Sequence, residues 1–271
     1  MKESNNTDKV SIIIPTHNRL NLLKRALASC FNQTWPNIEI IVVNDGSKDG
    51  TREYLDSLNN VTVFHNEAPK GGPYSRNLGA KYATGVFISF LDDDDELLHE
   101  KVERQMIWFK KNPESNTGVL TCDMLAVRPD KEFIIENRKR GNVYRDLLQK
   151  YCVQGIHTML IRREVFETSG GFDLKLESNQ EYDLMIRMAE KTAFDFLPEV
   201  LAKVYLTPGQ ISLNFRKKRD GTIAFIRKNK ARYKAEGFVF YLREMARLWG
   251  IVTVYQFSVW FGVRFYRLVF P

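Results

Sequence analysis

The chain of 271 residues has few cysteines and no paired motif built from them. Cys30, Cys122 and Cys152 are far apart and odd in number, so neither a disulfide framework nor a zinc knuckle is expected. The fingerprint G-x-G-x-x-G is missing after the first apolar run, and so is a Walker A loop, which excludes an NAD enzyme and a P-loop ATPase. There is no low-complexity tract or short repeat, so disorder is not the default. The polar start over residues 1–9 lacks the apolar core of a signal peptide and is expected to be disordered. With the unpaired cysteines it points to a reducing cytoplasm. Long uncharged runs are also absent: the stretch between Arg247 and Arg264 is shorter than the roughly 18–20 residues of a spanning helix.

What is present is an uneven charge. Residues 216–271 hold thirteen Lys or Arg against three Asp or Glu, a net of +10, which leaves about −3 on residues 1–215 of the +7 total. A hydrophobic content of 44% is enough for one large core or two smaller ones.

The most informative stretch runs from Val86 through Leu91 to Asp92-Asp93-Asp94-Asp95-Glu96. Its first half reads as a buried strand. Five carboxylates follow without a linker, and they repel one another unless a cation or a set of donors neutralises them. They could equally open a helix starting near Leu97, where acids suit the dipole.

Taken in order, Val10 to Ile14 is a first buried strand, closed by Pro15 because proline removes a ladder donor. Leu20 to Phe31 carries apolar residues at helical spacing, and Ile38 to Val43 is a second continuous strand. Asn44 to Thr51 is rich in turn residues, Val61 to Phe64 is a short strand, and Pro73 to Ala83 a helix. Alternation of strands with helices of about ten residues implies βαβ units, hence an α/β fold with a Rossmann-like, mostly parallel sheet. Three strands end in polar loops on one sheet edge, where they can converge on a ligand. There an aspartate beside a glycine can accept from a base or ribose, and an acid run can hold a hard divalent cation against phosphates. This points to a nucleotide-activated substrate.

Four segments then resemble, in order and spacing, the inverting family-2 glycosyltransferases of GT-A fold: Val10 to Asn18, Ile41 to Ser47 with Asp49-Gly50-Thr51, Ser75 to Ala80, and Leu91 to Asp95. The resemblance spans roughly residues 9–210. It implies a nucleotide-sugar donor, a UDP-sugar by preference, and Mn2+ or Mg2+ as cofactor. It assigns Pro15, Thr16, His17, Asn18, Asp45, Arg76, Asp92 and Asp93 to the nucleotide-sugar, and Asp94 with Asp92 to the metal. Four consecutive aspartates leave the register open, and Asp93 or Asp95 could substitute. Gly155 to Ile161 reads as a strand. With the Gly-Gly-Phe-Asp stretch it also resembles the family's pattern, which implies a place on the acceptor side for His157, Gly171 and Asp173.

Inversion requires a base for the acceptor hydroxyl. Aligned on Tyr182-Asp183-Leu184 and Arg187, the family's aspartate falls on Glu181, with Asp183 as the second candidate. On residue type alone, both could simply be acids at a helix N-terminus. No Gln-x-x-Arg-Trp segment follows, which favours single transfer over the processive synthases.

The C-terminal stretch joins basic residues to aromatic ones, which suits an interfacial helix on an anionic membrane; packing on the core and a homodimer interface are the other readings. No nucleic-acid module accompanies the charge, so nucleic acid is not an expected partner. The expected organisation is a GT-A domain over 10–215, with a nucleotide-binding half at 10–95 and an acceptor half at 96–215, and a helical, membrane-associating extension over 216–271. The expected enzyme is peripheral on the inner face of the cell membrane. It acts on a glycan or polyprenyl-diphosphate-linked acceptor in surface-polysaccharide synthesis. The rival classes are a non-catalytic nucleotide-sugar binder and a magnesium-dependent nucleotidyltransferase.

Overall fold

Unbroken β-branched runs make strands that must be covered on both faces, and here they are. The computed structural model describes residues 9–206 and 214–269; the first eight of the nine residues expected to be disordered lie outside the described residues. Strands β1 (Val10–Thr16), β2 (Ile38–Asn44), β3 (Thr62–His65) and β4 (Phe87–Phe90) pair in parallel in the order β3-β2-β1-β4. Helices α1 (Leu20–Phe31), α2 (Thr51–Asp56) and α3 (Gly72–Tyr82) connect them. Ile13, Ile41 and Ile88 point into one core, and Ile12, Ile14 and Val42 into the core on the opposite face with Leu23 and Leu27 of α1.

The sheet continues with β5 (Glu96–Leu97), α4 (Lys101–Lys111), β6 (Thr117–Val127), β7 (Glu132–Ile135), α5 (Tyr144–Gln149), a 3₁₀ turn at Ile156–Thr158, β8 (Leu160–Arg162), α6 (Arg163–Thr168), α7 (Gln180–Ala189) and β9 (Ala193–Tyr205). The full order is β3-β2-β1-β4-β8-β6-β9-β5, with β7 a hairpin partner of β6. β8 is antiparallel to β4 and β6, whereas the long β6–β9 ladder is parallel. The result is a mixed sheet whose N-terminal half is wholly parallel.

Three local expectations are corrected. Pro15 does not end β1; it pairs with Val43 inside the strand. The carbonyls of Ile13 and Thr16 accept from Leu91 on the β4 side and Asp45 on the β2 side, so alternation turns the Pro15 nitrogen towards β4, beyond the last β1–β4 pair at Ile13. No helix starts near Leu97: Glu96 and Leu97 pair with Lys203 and Ala202 of β9, and α4 begins at Lys101. Gly155 to Thr158 is a turn, not a strand, with the Thr158 hydroxyl donating to the Gln154 and Gly155 carbonyls.

Helix α3 lies unusually close to the sheet. A Cβ on Gly79 would stand 2.5 Å from Ile13 Cγ2, so only glycine permits this approach. That packing fixes the height at which α3 presents Arg76.

After β9, α8 (Phe215–Ala235), α9 (Phe238–Phe261) and α10 (Val263–Val269) follow. Phe225, Tyr233, Phe240, Leu248 and Val252 belong to the same buried cluster as Ile13 and Leu184, so the inward faces of α8 and α9 pack on the core. On the outward face of α9, Leu242, Trp249, Phe257 and Trp260 form one exposed stripe at helical spacing, with Phe238, Val239 and Phe261 at its ends, and α10 meets its C-terminal end where Phe265 packs on Phe257 and Phe261. No described helix is long and apolar enough to cross a membrane. The side chains of Arg264 and Arg267, counted in the basic tail, lie outside the described residues.

Candidate active site

The carboxyl ends of β1, β2 and β4, the N-terminal turn of α3 and the start of α7 surround a cavity of about 540 Å³. Pro15, Thr16, His17, Asp45, Arg76, Asp92, Asp93, Asp94, His157 and Glu181 all line it, as does Asp95. Asn18, Gly171, Asp173 and Asp183 do not.

Within the acid run the residues alternate. Asp93 and Asp95 are buried, whereas Asp92 and Asp94 are half-exposed. Asp93 turns back towards β1, accepting from the Thr16 hydroxyl at 2.8 Å and from Arg19 at 2.9 Å. Asp95 accepts from the Tyr205 backbone at 3.1 Å and lies 3.4 Å from His157 Nδ1. Asp92 accepts from Arg76, and Asp94 from Arg19 at 3.1 Å. The Thr16 and Asp93 side chains are therefore engaged with each other.

These surroundings set the protonation of each acid. Burial would raise Asp92, but the adjacent Arg76 guanidinium outweighs it and holds the carboxyl below its ordinary value. Burial, reinforced by Asp92, pushes Asp94 up, and burial with Asp92 and Asp94 pushes Asp95 up to about 8. Burial lowers His157 to about 4, so its ring is neutral at physiological pH. One carboxylate oxygen from each of Asp92, Asp94 and Asp95 lies within 4.8 Å of the others. An all-oxygen carboxyl donor set crowded in this way fits a hard divalent cation such as Mg2+ or Mn2+, whose charge would offset the mutual repulsion that raises Asp94 and Asp95.

On the other wall, Asp45 Oδ1 accepts from Asn66 Nδ2 and the Lys70 amide, and Oδ2 from the Gly71 amide at 2.7 Å. Asp45 thus clasps the Lys70–Gly71 loop. Three of the roughly four acceptor positions of a carboxylate are occupied, leaving one towards the cavity. His17 is satisfied by its neighbours, with Nδ1 2.6 Å from the Asp45 carbonyl and Nε2 2.9 Å from Asn18 Nδ2. Asn18 adopts a left-handed φ of 52° and accepts from the Lys48 amide, tying the first loop to the second.

Arg76 rests with its guanidinium 5.5 Å from the Phe172 ring centroid. Phe172 is held by a two-way clasp, its amide donating to Asn77 Oδ1 and its carbonyl accepting from Asn77 Nδ2, each at 2.8 Å. Gly171, with φ of 63°, would place a Cβ 2.6 Å from Asn77 Oδ1, so the turn requires glycine. Gly171 therefore acts through Phe172 rather than at the cavity. Ser75 Oγ and Arg76 Nε are buried without hydrogen-bond partners, which leaves donors available to a ligand.

The two acids of α7 have different settings. Glu181 faces the cavity and accepts from the Tyr151 hydroxyl at 3.2 Å. Burial raises its pKa, Arg76 opposes this, and Asp92 adds to the rise. Asp183 is fully buried, with Oδ2 2.8 Å from both Arg187 and Lys228 and Oδ1 accepting from Asn229. Asp173 shares Lys228 from the other side and lies outside the cavity.

Sequence reasoning did not single out Arg19, Arg25 or Tyr151. Arg25 donates to the Asp94 carbonyl and pairs with Glu96 at 3.2 Å. A cation immediately after the first strand, facing four acids on the same edge, was a usable signal for Arg19. Tyr151 had none, because only the tertiary fold brings it to Glu181.

The sequence model of the family described as Glycosyl transferase family 2 matches residues 11–170, more than half of the chain. An uncharacterized glycosyltransferase of Haemophilus influenzae is 29% identical over 186 residues, 68% of this chain; the chain spans 63% of that relative's length. Among solved structures, S. aureus TarS in complex with UDP-GlcNAc superposes with a TM-score of 0.61 at 20% identity, over 80% of this chain and 66% of TarS. The mannosyltransferase PcManGT from Pyrobaculum calidifontis, in complex with GDP-Man and Mn2+, superposes with a TM-score of 0.59 at 16% identity, over 96% of this chain and 78% of its own. These likenesses agree with a GT-A-like arrangement of the sheet, and by the match over residues 11–170 the chain belongs to glycosyl transferase family 2.

Proposed function

We propose that the protein transfers one sugar, with inversion, from a nucleotide-sugar to a hydroxyl of a glycan or lipid-linked acceptor. The observation that carries this reading is that Glu181 lines the same cavity as Arg76 and the acid run. In the proposed reaction Glu181 takes the proton of the acceptor hydroxyl as that oxygen attacks the anomeric carbon. The bond from that carbon to the nucleotide diphosphate breaks on the opposite side. Arg76, fixed by Phe172 and Asp92, holds the departing diphosphate together with the free Ser75 hydroxyl. The remaining acceptor position of Asp45 takes a base imide, which favours a uridine donor.

Asp92, Asp94 and Asp95 would hold Mn2+ or Mg2+, which supplies Lewis-acid neutralisation of the leaving group. Asp93, tied to Thr16 and Arg19, keeps the run in shape. Asp183 has both oxygens engaged and supports α7 rather than serving as base. The exposed apolar stripe of α9, flanked by Arg243, supports peripheral binding at the cytoplasmic face of an anionic membrane.

A screen of nucleotide release from UDP- and GDP-sugars, with and without Mn2+, tests the reading. Release is expected with a UDP-sugar and is lost in excess chelator. Activity that survives chelation contradicts the metal assignment, and donor binding without turnover on any acceptor favours a binding protein.

A further inference from the structure

Glu181 has a second neighbour space. Between α7, α8 and α9 lies another cavity of about 490 Å³, and Glu181 is the one residue common to the linings of both. Most of this second lining comes from residue 179 onward, beyond the segment that matches the family model. Helices α8 and α9 supply half of it.

Its chemistry is the reverse of the donor cavity's. Glu181 is the only acid in the lining, while Arg247 and Lys150 supply positive charge and Tyr151 and Tyr255 supply aromatic surface. Arg247 is partly engaged: Nε donates to Glu244 at 2.7 Å and the guanidinium lies beside the Tyr182 hydroxyl, while Nη2 is enclosed without a well-aligned partner. A guanidinium fork with an unmatched N–H is suited to a planar or tetrahedral oxyanion. Aromatic faces suit the C–H faces of a sugar ring. Such a ring within the cavity reaches Glu181, whose orientation the Tyr151 hydroxyl fixes.

We propose that this second cavity seats the acceptor and that the acceptor is a glycosyl phosphate, its phosphate held by Arg247 with Lys150 and one sugar hydroxyl directed at Glu181. The inference rests on the sugar-transferase reading above. In the transfer the acceptor oxygen bonds to the donor's anomeric carbon, the carbon–diphosphate bond breaks with its electron pair leaving on the diphosphate, and the hydroxyl proton goes to Glu181. A glycosyl phosphate exists both as a soluble sugar phosphate and as the head of a lipid diphosphate. Helix α9 supplies Leu248, Ile251 and Tyr255 to this cavity and turns its exposed apolar stripe the other way.

The full chain is titrated with methyl α-glucoside, glucose 1-phosphate and glucose linked through diphosphate to farnesol, and separately with UDP. Glucose 1-phosphate is expected to bind at least tenfold more tightly than the methyl glucoside. Arg247→Gln, which leaves Glu244 paired with Arg243, is expected to erase that preference, and Ile251→Trp to block all three sugars by filling the cavity. Both variants are expected to melt cooperatively and to retain UDP affinity within twofold. Tighter binding of the farnesyl compound assigns the lipid source, and equal binding of it and glucose 1-phosphate the soluble one. Equal affinity for charged and neutral sugars, no binding of any of the three probes, or glucose 1-phosphate binding that survives Ile251→Trp overturns the inference. Wild-type protein that fails to bind UDP overturns the donor reading instead.

Discussion

The two cavities that meet at Glu181 differ in how their charges are arranged. In the donor cavity nearly every charge is answered: Arg19 by Asp93 and Asp94, Arg76 by Asp92, Asp45 by Asn66 and two amides. In the second cavity Arg247 is answered by Glu244 through Nε alone, Lys150 is a second cation in the lining, and the remaining lining mixes amide and hydroxyl groups with aromatic and aliphatic side chains. A network closed upon itself is rigid and preorganised, which suits a ligand of fixed chemistry such as a nucleotide diphosphate. A lining with two cations and aromatic walls suits an anionic sugar. The difference follows the chain: the first cavity is built mainly from the family-matched segment, and the second mainly from helices after it.

The largest way to break this comparison is Arg76→Ala. Removing one partner of an enclosed charge pair costs about 2–5 kcal/mol, so donor affinity by UDP titration should fall by about a hundredfold while sugar-phosphate binding stays within a few-fold. Gly79→Ala comes next. A methyl 2.5 Å from Ile13 Cγ2 forces α3 off the sheet, with an overpacking cost of about 1–3 kcal/mol. Thermal melting should register the loss, and UDP affinity should drop more than sugar-phosphate affinity because α3 carries Arg76.

Replacing Trp260 and Phe261 by Ser removes two aromatic groups that are 64% and 65% exposed. Flotation with anionic liposomes should weaken by at least tenfold, given about 1.5–3 kcal/mol for burying one large apolar side chain fully, with UDP affinity unchanged. The smallest effect is on pH. Burial raises Glu181, Arg76 opposes, and Asp92 adds. A base must be deprotonated to act, so turnover falls as pH falls through a value above the ordinary glutamate figure of about 4.3. The pH–rate profile should show that acid limb.

Much of the fold was legible because it rests on local signals. The apolar runs of β1 and β2 and the helical spacing over Leu20 to Phe31 in α1 mark elements that the structure contains with nearly the same bounds. What failed was set by distant partners. Glu96 and Leu97 form a strand because β9, a hundred residues later, lies beside them. His157 sits in a turn because Thr158 bonds back to two carbonyls. The site divides in the same way. Loops at strand ends gather by topology, so Asp45, Arg76 and the acid run could be read together, and the alternation of the run's burial separates Asp92 and Asp94 from Asp93. Asp173 and Asp183 could not be separated from Glu181 by residue type, since Lys228, forty-five residues past Asp183, is what occupies them. The second cavity had no motif at all.

Glu181 lines both the donor cavity and the second cavity, where a base can sit beside the attacking oxygen. Glu181→Gln keeps the shape and the partner hydroxyl of Tyr151 but removes the proton acceptor. UDP-sugar affinity should remain within about twofold while turnover falls by about 10²–10⁴, the usual range for a lost general base. Near-normal turnover in that variant would contradict the account.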